Sequence, residues 1–223
     1  MPMGDPERRA RVQACLQPIV VGRCVPVVAL TGRRGSWANK LPWCQPRIFV
    51  SRRSVDEAAA DALSGEVAHE YAHVLAARES DQERLELALQ LSIFPLGIAG
   101  LISALIAIRP PIAPHPHSWA PLIEFLAVVA VVLASLFVAT WFSRRQELRA
   151  DRRAAELLGS PDPVIAMLRR IQAQHPVEPW WLAIWTHPLT ATRIKALQAL
   201  FTTPSPADHP GAGPVASSPV DAP

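Results

Sequence analysis

Two histidines and a glutamate, His69, Glu70 and His73, are the residues in this sequence best suited to chemistry. They lie in Ser64–Arg78, a stretch rich in helix formers and without proline, which predicts a helix. Residues four apart share one helix face, so His69 and His73 can direct both imidazoles at one metal ion. Glu70 can reach a water beside that ion. The spacing predicts a zinc centre that activates water, and an amphipathic helix with two surface histidines is the alternative.

A zinc site of this kind needs a third protein ligand. One solution places it three residues after a glycine just beyond the histidines, but Ala76 and Glu79 occupy those positions. The other solution is a glutamate on a later helix, and Glu147 is the best candidate. Asp151 follows four residues later and can orient a histidine while Glu147 binds the metal. An ordinary charged helix face is the alternative, and Glu156 is the next candidate if Glu147 faces away from the histidines.

Three segments, in this order, resemble the M48 family of membrane metallopeptidases, the HtpX and Ste24 group. In that family a helical His-Glu-x-x-His precedes Glu-x-x-x-Asp, which reads Glu147-Leu-Arg-Ala-Asp-Arg-Arg-Ala154 here. A later His-Pro followed by an arginine corresponds to His187, Pro188 and Arg193. Upstream, Pro46–Ser51 looks like the family strand that precedes the motif helix. The resemblance extends from about Pro26 to Leu200.

The resemblance implies an α+β, mostly helical fold with a zincin-like peptidase core. It implies one Zn²⁺ per chain, bound by His69, His73 and Glu147, with Asp151 behind the ligands and Glu70 as general base. It further implies that His187 or Arg193 stabilises developing negative charge or braces the site. A salt bridge from Arg193 to a motif-helix carboxylate is the alternative.

The resemblance also suggests where substrate binds. The candidate is an edge strand to which an extended peptide adds as a further strand, formed by Arg47, Ile48, Phe49, Val50 and Ser51. A plain structural strand is the alternative. The Asn-Ala-Phe-like segment that the family carries before this strand is matched only in part, by Ala38-Asn39-Lys40.

Composition favours a membrane protein over a nucleic-acid-binding one. Of the 223 residues, 50% are hydrophobic and only 18% are charged, and the formal net charge is +3. No basic stretch interleaved with aromatic residues occurs, so we expect no nucleic-acid partner. The chain has three cysteines, Cys15, Cys24 and Cys44, and no two of them form a Cys-x-x-Cys motif. They indicate small core residues or reduced thiols in a reducing compartment.

Two apolar stretches predict a transmembrane hairpin between the motifs. Residues 87–108 carry no charge, and residues 125–142 form a second apolar run with Trp119 and Trp141 near its ends. Residues 109–118 would form the turn, and two buried helices of a soluble bundle are the alternative. One arginine, Arg109, lies in the turn, whereas seven lie on the flanks: Arg78, Arg84, Arg144, Arg145, Arg149, Arg152 and Arg153. The positive-inside rule then places both motifs in the cytoplasm, and the polar amino terminus does not predict a signal peptide.

The remaining pattern predicts short strands at residues 18–21, 25–30 and 48–50, and a helix over residues 56–78 with Ser54 as N-cap. Further helices are predicted over residues 144–159, 164–173 and 192–201. Between the last two lies a loop with Trp180, Trp181 and Trp185, which would line a cleft, rest on the bilayer or simply pack. The predicted units are two parts of a peptidase domain (1–86 and 143–202), the hairpin (87–142) and a disordered tail (203–223).

These features together predict a membrane-anchored zinc endopeptidase acting on peptide bonds of membrane or membrane-proximal proteins. Its expected partners are a peptide or protein substrate and the lipid bilayer, and its expected location is the bacterial inner membrane with a cytoplasmic catalytic domain. A non-catalytic, membrane-anchored zinc-binding regulatory or binding module is the alternative. Glu70 favours the enzyme, because a structural zinc site needs no carboxylate beside an open position.

Overall fold

The structure, a computed structural model, describes residues 4–22, 24–33, 35–39, 44–79, 119–175 and 188–202, together with 81, 84–86, 88, 89, 92, 99, 100 and 102. Within these residues the chain is mostly helical with one small sheet, as predicted. The helices are α1 (Asp5–Leu16), α2 (Arg52–Glu57), α3 (Ala60–Glu79), α4 (Ala120–Leu158), α5 (Asp162–Gln174) and α6 (Thr190–Thr202). The strands are β1 (Val27–Thr31), β2 (Trp37–Ala38) and β3 (Arg47–Ser51).

Helix α1 is an element that the sequence pattern does not predict. Pro6 lies in its first turn, and Asp5 and Glu7 place negative charge at its amino end, where the helix dipole favours it. The Gly4 N–H donates to Glu7 Oε2 at 2.9 Å, which satisfies one of the amide groups at the helix start. The buried Val12 and Leu16 then hold this polar helix against the core.

The predicted helix over residues 56–78 is instead two helices, α2 and α3, and Ser54 lies inside α2 rather than at an N-cap. The chain is extended at Ala58, with φ −75° and ψ 140°. Arg11 of α1 donates to the carbonyl oxygens of Val55 and Ala58. These contacts supply partners to carbonyl groups at the end of α2, so the break depends on a residue more than forty positions away.

The sheet has the strand order β1-β3-β2, so β3 is central among the described strands. It pairs in parallel with β1, from Val27 opposite Arg47 to Thr31 opposite Ser51, and antiparallel with β2, where Trp37 lies opposite Phe49. The predicted strand over 48–50 is therefore confirmed, but its position at an edge is wrong. Both hydrogen-bonding sides of β3 are used, and β1 and β2 are the two outer strands among the described residues.

Two shorter predictions differ from the structure around this sheet. The strand predicted at residues 25–30 is observed at residues 27–31. The strand predicted at residues 18–21 is wrong, because a 3-10 turn, Gln17–Ile19, overlaps its start and residues 20 and 21 are not in a strand. Pro18 favours the turn because its ring fixes φ and removes a backbone donor. Strand β2 falls within residues 31–42, where glycines and basic residues predict only a loop. Residues 37 and 38 form a strand because they pair with β3, not because of their own sequence.

Helix α3 lies at the centre of the core and is buried on most of its faces. Tyr71 is fully buried, and its hydroxyl donates to the Cys24 carbonyl and accepts from the Val21 N–H, both at 3.0 Å. Helix α5 crosses α3 so closely at Gly65 that a Cβ there would overlap the carbonyl oxygen of Pro163. His69 and His73 are likewise buried, so the alternative of two surface histidines is wrong.

Helix α4 joins the second apolar run and the Glu147–Asp151 segment into one helix of 39 residues, which ends at Gly159 in the left-handed conformation (φ 69°). In the part of the chain that the structure describes, one helix is long and apolar enough to cross a membrane, and it is this one. Several side chains along it are more than half exposed: Leu126, Val131, Leu133 and Phe137. The first apolar run, 87–108, lies mostly outside the described residues, so the hairpin stays a prediction.

Candidate metal centre

Helix α3 supplies three residues of the predicted site. His69 and His73 are one turn apart, and their rings meet edge to face with centroids 4.7 Å apart and an interplanar angle of 85°. Glu70 lies between them in sequence and is buried, at 8% exposure. Because α3 is enclosed by α4, α5 and the sheet, these polar side chains are removed from bulk water. An unpaired polar group in such a buried position costs free energy.

Helix α4 supplies the acidic residue that faces both histidines. Glu147 Oε2 lies 3.4 Å from His69 Nε2, and Glu147 Oε1 lies 3.3 Å from His73 Nε2. Glu147 is itself buried, at 5% exposure. The structure therefore brings together the three residues that the sequence analysis selects as ligands, from two helices whose motifs are more than seventy residues apart.

The three side chains fit a small divalent cation. One donor atom from each of His69, His73 and Glu147 lies within 4.8 Å of the others, and all three residues are buried. Tetrahedral ligands at about 2.1 Å from zinc are about 3.4 Å apart, close to the two histidine–carboxylate distances observed. Two imidazoles and one carboxylate are a donor set that zinc prefers, and three protein ligands leave one position open.

Asp151 lies behind the first histidine, one helical turn beyond Glu147. Its Oδ1 is 2.9 Å from His69 Nδ1, although the ring N–H is not well aligned for a hydrogen bond. Burial disfavours protonation of His69, but the adjacent Asp151 and Glu147 carboxylates outweigh it and raise the His69 pKa to about 9. This contact gives Asp151 the position predicted for a residue that orients a ligand.

Arg193 of α6 completes the cluster. Its Nε lies 2.6 Å from Asp151 Oδ2 and its Nη2 lies 2.6 Å from Asp151 Oδ1, a bidentate pair. Its Nη1 is 3.3 Å from Glu147 Oε2. Burial disfavours both charges, yet their mutual contact lowers the pKa of Asp151 and raises that of Arg193. Arg193 thus forms a salt bridge with carboxylates of the second motif helix, and its catalytic role stays a prediction.

His187 lies outside the described residues, as do Trp180, Trp181, Trp185 and the tail from residue 203. Their predicted roles are therefore not addressed by the structure.

A second polar cluster near the site is not singled out by the sequence analysis. Glu66 of α3 contacts Ser36, which directly precedes β2, and Arg170 of α5, whose Nη1 lies 3.3 Å from Glu66 Oε2. The one sequence signal is the four-residue spacing of Glu66 and Glu70, which puts both on one side of the motif helix. That spacing alone does not identify Ser36 or Arg170.

Comparison with known proteins agrees with this arrangement. The model of peptidase family M48 matches residues 33–201. The chain is 42% identical over 85 residues to the protease HtpX homolog of Paracidovorax citrulli, an alignment that covers 33% of this chain and 29% of the relative. It is 34% identical over 131 residues to protease HtpX of Mannheimia succiniciproducens, covering 57% of this chain and 44% of the relative.

The fold agrees with the sequence matches. The crystal structure of S. mikatae Ste24p superimposes with a TM-score of 0.55 at 18% identity, over 88% of this chain and 50% of that chain. The chain therefore belongs to peptidase family M48. Within that family it is HtpX- and Ste24-like, and it aligns with less than half of the length of these curated relatives.

Proposed function

We propose that this protein is a membrane-anchored, zinc-dependent endopeptidase that cleaves membrane or membrane-proximal polypeptides. The observation that carries the proposal is the convergence of His69 and His73 with Glu147, with donor atoms within 4.8 Å of one another, next to the buried Glu70. Membership of a peptidase family supports it, as do relatives named as proteases.

In this proposal His69, His73 and Glu147 bind one zinc ion. When bound, the ion supplies a Lewis acid that polarises a peptide carbonyl and acidifies water. Asp151 Oδ1, 2.9 Å from His69 Nδ1, orients the His69 ring by charge, which keeps Nε2 directed at the ion. Arg193 holds Asp151 in turn, and its Nη1 lies 3.3 Å from Glu147 Oε2, so one guanidinium contacts both carboxylates of α4.

Glu70 acts as the general base. It follows the first ligand on α3, and its carboxylate takes a proton from the attacking water and passes it to the leaving amine. The Arg193 guanidinium and the Glu70 carboxylate attract each other electrostatically, which contributes to the raised pKa of Arg193. His187 is retained as a candidate for stabilising the developing negative charge, on the family resemblance alone.

Substrate binding by strand addition fits β2 better than the predicted residues 47–51. The Asn39 N–H donates to the Arg47 carbonyl at 2.9 Å, and antiparallel ladders alternate bonded and non-bonded pairs. Ala38, which lies opposite Ile48, therefore directs its backbone N–H and C=O away from β3. An extended peptide can hydrogen-bond to these groups. Strand β3, Arg47–Ser51, pairs with β2 on the opposite side, and the Phe49 ring stacks on Trp37 with centroids 3.6 Å apart.

The membrane hairpin is supported by an ion pair at its base. Glu86 precedes the first apolar run and Arg149 follows the second, yet Arg149 Nη1 lies 3.0 Å from Glu86 Oε2. The chain thus leaves the peptidase domain and returns to it at one place, which an even number of spans allows. With the arginines on the flanks, this arrangement favours a cytoplasmic catalytic domain at the bacterial inner membrane. The division into residues 1–86, 87–142, 143–202 and 203–223 is part of this proposal.

A non-catalytic zinc-binding module is the second candidate, since the ligands alone would serve both functions. Buried Glu70 favours the enzyme, because a purely structural site has no use for a second ionisable carboxylate in a buried position.

The decisive experiment compares wild type with Glu70→Gln in detergent. Both proteins are expected to contain one zinc ion, because residue 70 is not a ligand, whereas cleavage of labelled casein is expected only from wild type. Ala in place of His73 serves as the control that should lose both zinc and activity. A wild type that binds no zinc, or equal cleavage by wild type and Glu70→Gln, would refute the proposal.

A further inference from the structure

A partly buried polar network connects the motif helix to the start of the edge strand β2. The Ser36 hydroxyl donates to Glu66 Oε1, and the Ser51 N–H donates to Ser36 Oγ at 3.0 Å. The other oxygen of Glu66, Oε2, accepts a hydrogen bond from Arg170, which also donates to Ser54 Oγ at 3.2 Å. The Glu66 and Arg170 side chains are only 12% and 19% exposed. One carboxylate therefore joins α3, α5, α2 and the residue preceding β2.

Two contacts fix how the sheet runs along α3. The end of β3 is held near Glu66 through Ser51 and Ser36, whereas Arg78, at the end of α3, donates to the Cys44 carbonyl just before β3 begins. Strand β3 therefore runs opposite to α3, and β2, which is antiparallel to β3, runs in the same direction as α3.

The lengths of helix and strand then place β2 beside the motif. A strand advances about 3.3 Å per residue and a helix about 1.5 Å. Counted from the contact of Ser36 with Glu66, these rises put Ala38 about 6 to 7 Å along the helix, level with Glu70, and Asn39 about 10 Å along, level with His73. The outward-facing backbone groups of Ala38 are thus level with the turn of α3 that carries Glu70.

We infer that Glu66 is a positioning residue that fixes the edge strand β2 relative to Glu70 and the metal ligands. The inference rests on the proposed function, because β2 is the strand to which a substrate peptide would add. Glu66 touches neither substrate nor metal in this scheme. Its contact with Ser36 sets where the β2 backbone begins, and Arg170 holds the carboxylate in that orientation by a charge-assisted hydrogen bond.

The inference separates two kinds of ligand. An extended peptide needs both the metal centre and the β2 backbone, so it should bind more weakly when β2 is displaced. A small metal-binding inhibitor such as acetohydroxamate needs only the metal centre, so its affinity should not change. A purely structural role of Glu66 would instead lower stability and weaken both ligands together.

The test uses the full-length, zinc-loaded protein in detergent and an internally quenched octapeptide taken from a casein site that wild type cleaves. Glu66→Gln and Ser36→Ala are each expected to raise KM roughly tenfold, the effect of losing one charge-assisted hydrogen bond. We expect kcat to stay within about twofold and the zinc content and acetohydroxamate inhibition to equal those of wild type. Ser36→Thr keeps the hydroxyl and should restore KM. Glu57→Gln, which alters an exposed pair with Arg53, is the matched control.

The outcomes distinguish this inference from the proposed function. Cleavage with wild-type KM by Glu66→Gln and Ser36→Ala overturns the inference alone, as does an equal loss of peptide and acetohydroxamate binding. If Glu66→Gln does not fold, Ser36→Ala and its rescue by Ser36→Thr decide the question. Absence of cleavage by wild type overturns the proposed function, and the inference with it.

Discussion

Arg193 donates to both carboxylate oxygens of Asp151, with Nε–Oδ2 and Nη2–Oδ1 distances of 2.6 Å each. The pair is buried, with side-chain exposures of 9% and 1%. A buried ion pair is costly to form but more costly to break, because either partner alone is left as an unpaired buried charge. The pair links α6 to the metal-facing helix α4, so the geometry of His69 depends on a residue that is 124 positions away in the chain.

The first prediction concerns Asp151→Asn. An amide presents one acceptor oxygen, so it cannot serve the Arg193 fork and His69 Nδ1 as the carboxylate does. We expect zinc affinity to fall by about 10- to 100-fold, as is typical when a group behind a ligand is lost. Competition with a fluorescent chelator measures this. Asp56→Asn is the control, because it alters a similar fork with Arg8 at the surface, and an equal effect of both variants would contradict the prediction.

The second prediction tests the crossing of α3 and α5. Gly65→Ala places a Cβ against the Pro163 carbonyl, so one of the two helices must shift. We expect a loss of about 1–3 kcal/mol in the free energy of unfolding, measured by denaturant titration in detergent. Gly32→Ala, at a position with open space around the Cβ, should change stability by less than about 0.5 kcal/mol. Similar stability of the two variants would show that the helices do not cross this closely.

The third prediction concerns acid. Asp5 is bound by Arg52 and Arg8, and chiefly the hydrogen bond from Arg52 lowers its pKa from the ordinary 3.8 to about 2. A depressed pKa in the folded state stabilises the protein above pH 3.8, and this contribution is lost as the pH falls toward 2. We expect the hydrogen-exchange protection factors of the Val12 and Leu16 amides of α1, relative to the intrinsic rate at each pH, to fall across that interval. Asp5→Asn should already show low protection at pH 4 and little further change, whereas an unchanged wild-type profile in the variant would refute the assignment.

The fourth prediction concerns topology. The Glu86–Arg149 ion pair requires both flanks of residues 87–142 to lie on one side of the membrane. Reporter fusions after Arg84 and after Arg153 should therefore both read cytoplasmic, and a fusion within residues 114–118 should read external. A cytoplasmic signal from the middle fusion would mean that the segment does not cross the membrane. An external signal after Arg153 would separate Glu147 from the histidines and exclude the metal site.

The sequence determined the residues that meet at the site. His69, Glu70, His73, Glu147 and Asp151 were identifiable because helix periodicity is local: a spacing of four residues selects one face whatever surrounds the helix. The apolar run at residues 125–142 was also predictable from the sequence, because its length and composition are local properties. The motif also predicted that Glu147 would face the histidines, and the structure shows this contact.

The tertiary structure decided what depends on contacts between distant residues. It placed β3 in the middle of the sheet and β2 at one edge, divided residues 52–79 into two helices through Arg11, and paired Arg193 with Asp151. It also brought Ser36, Glu66 and Arg170 into one network. No local pattern specifies these contacts, because a strand's neighbours and a side chain's partner are chosen by the packing of the whole core around α3.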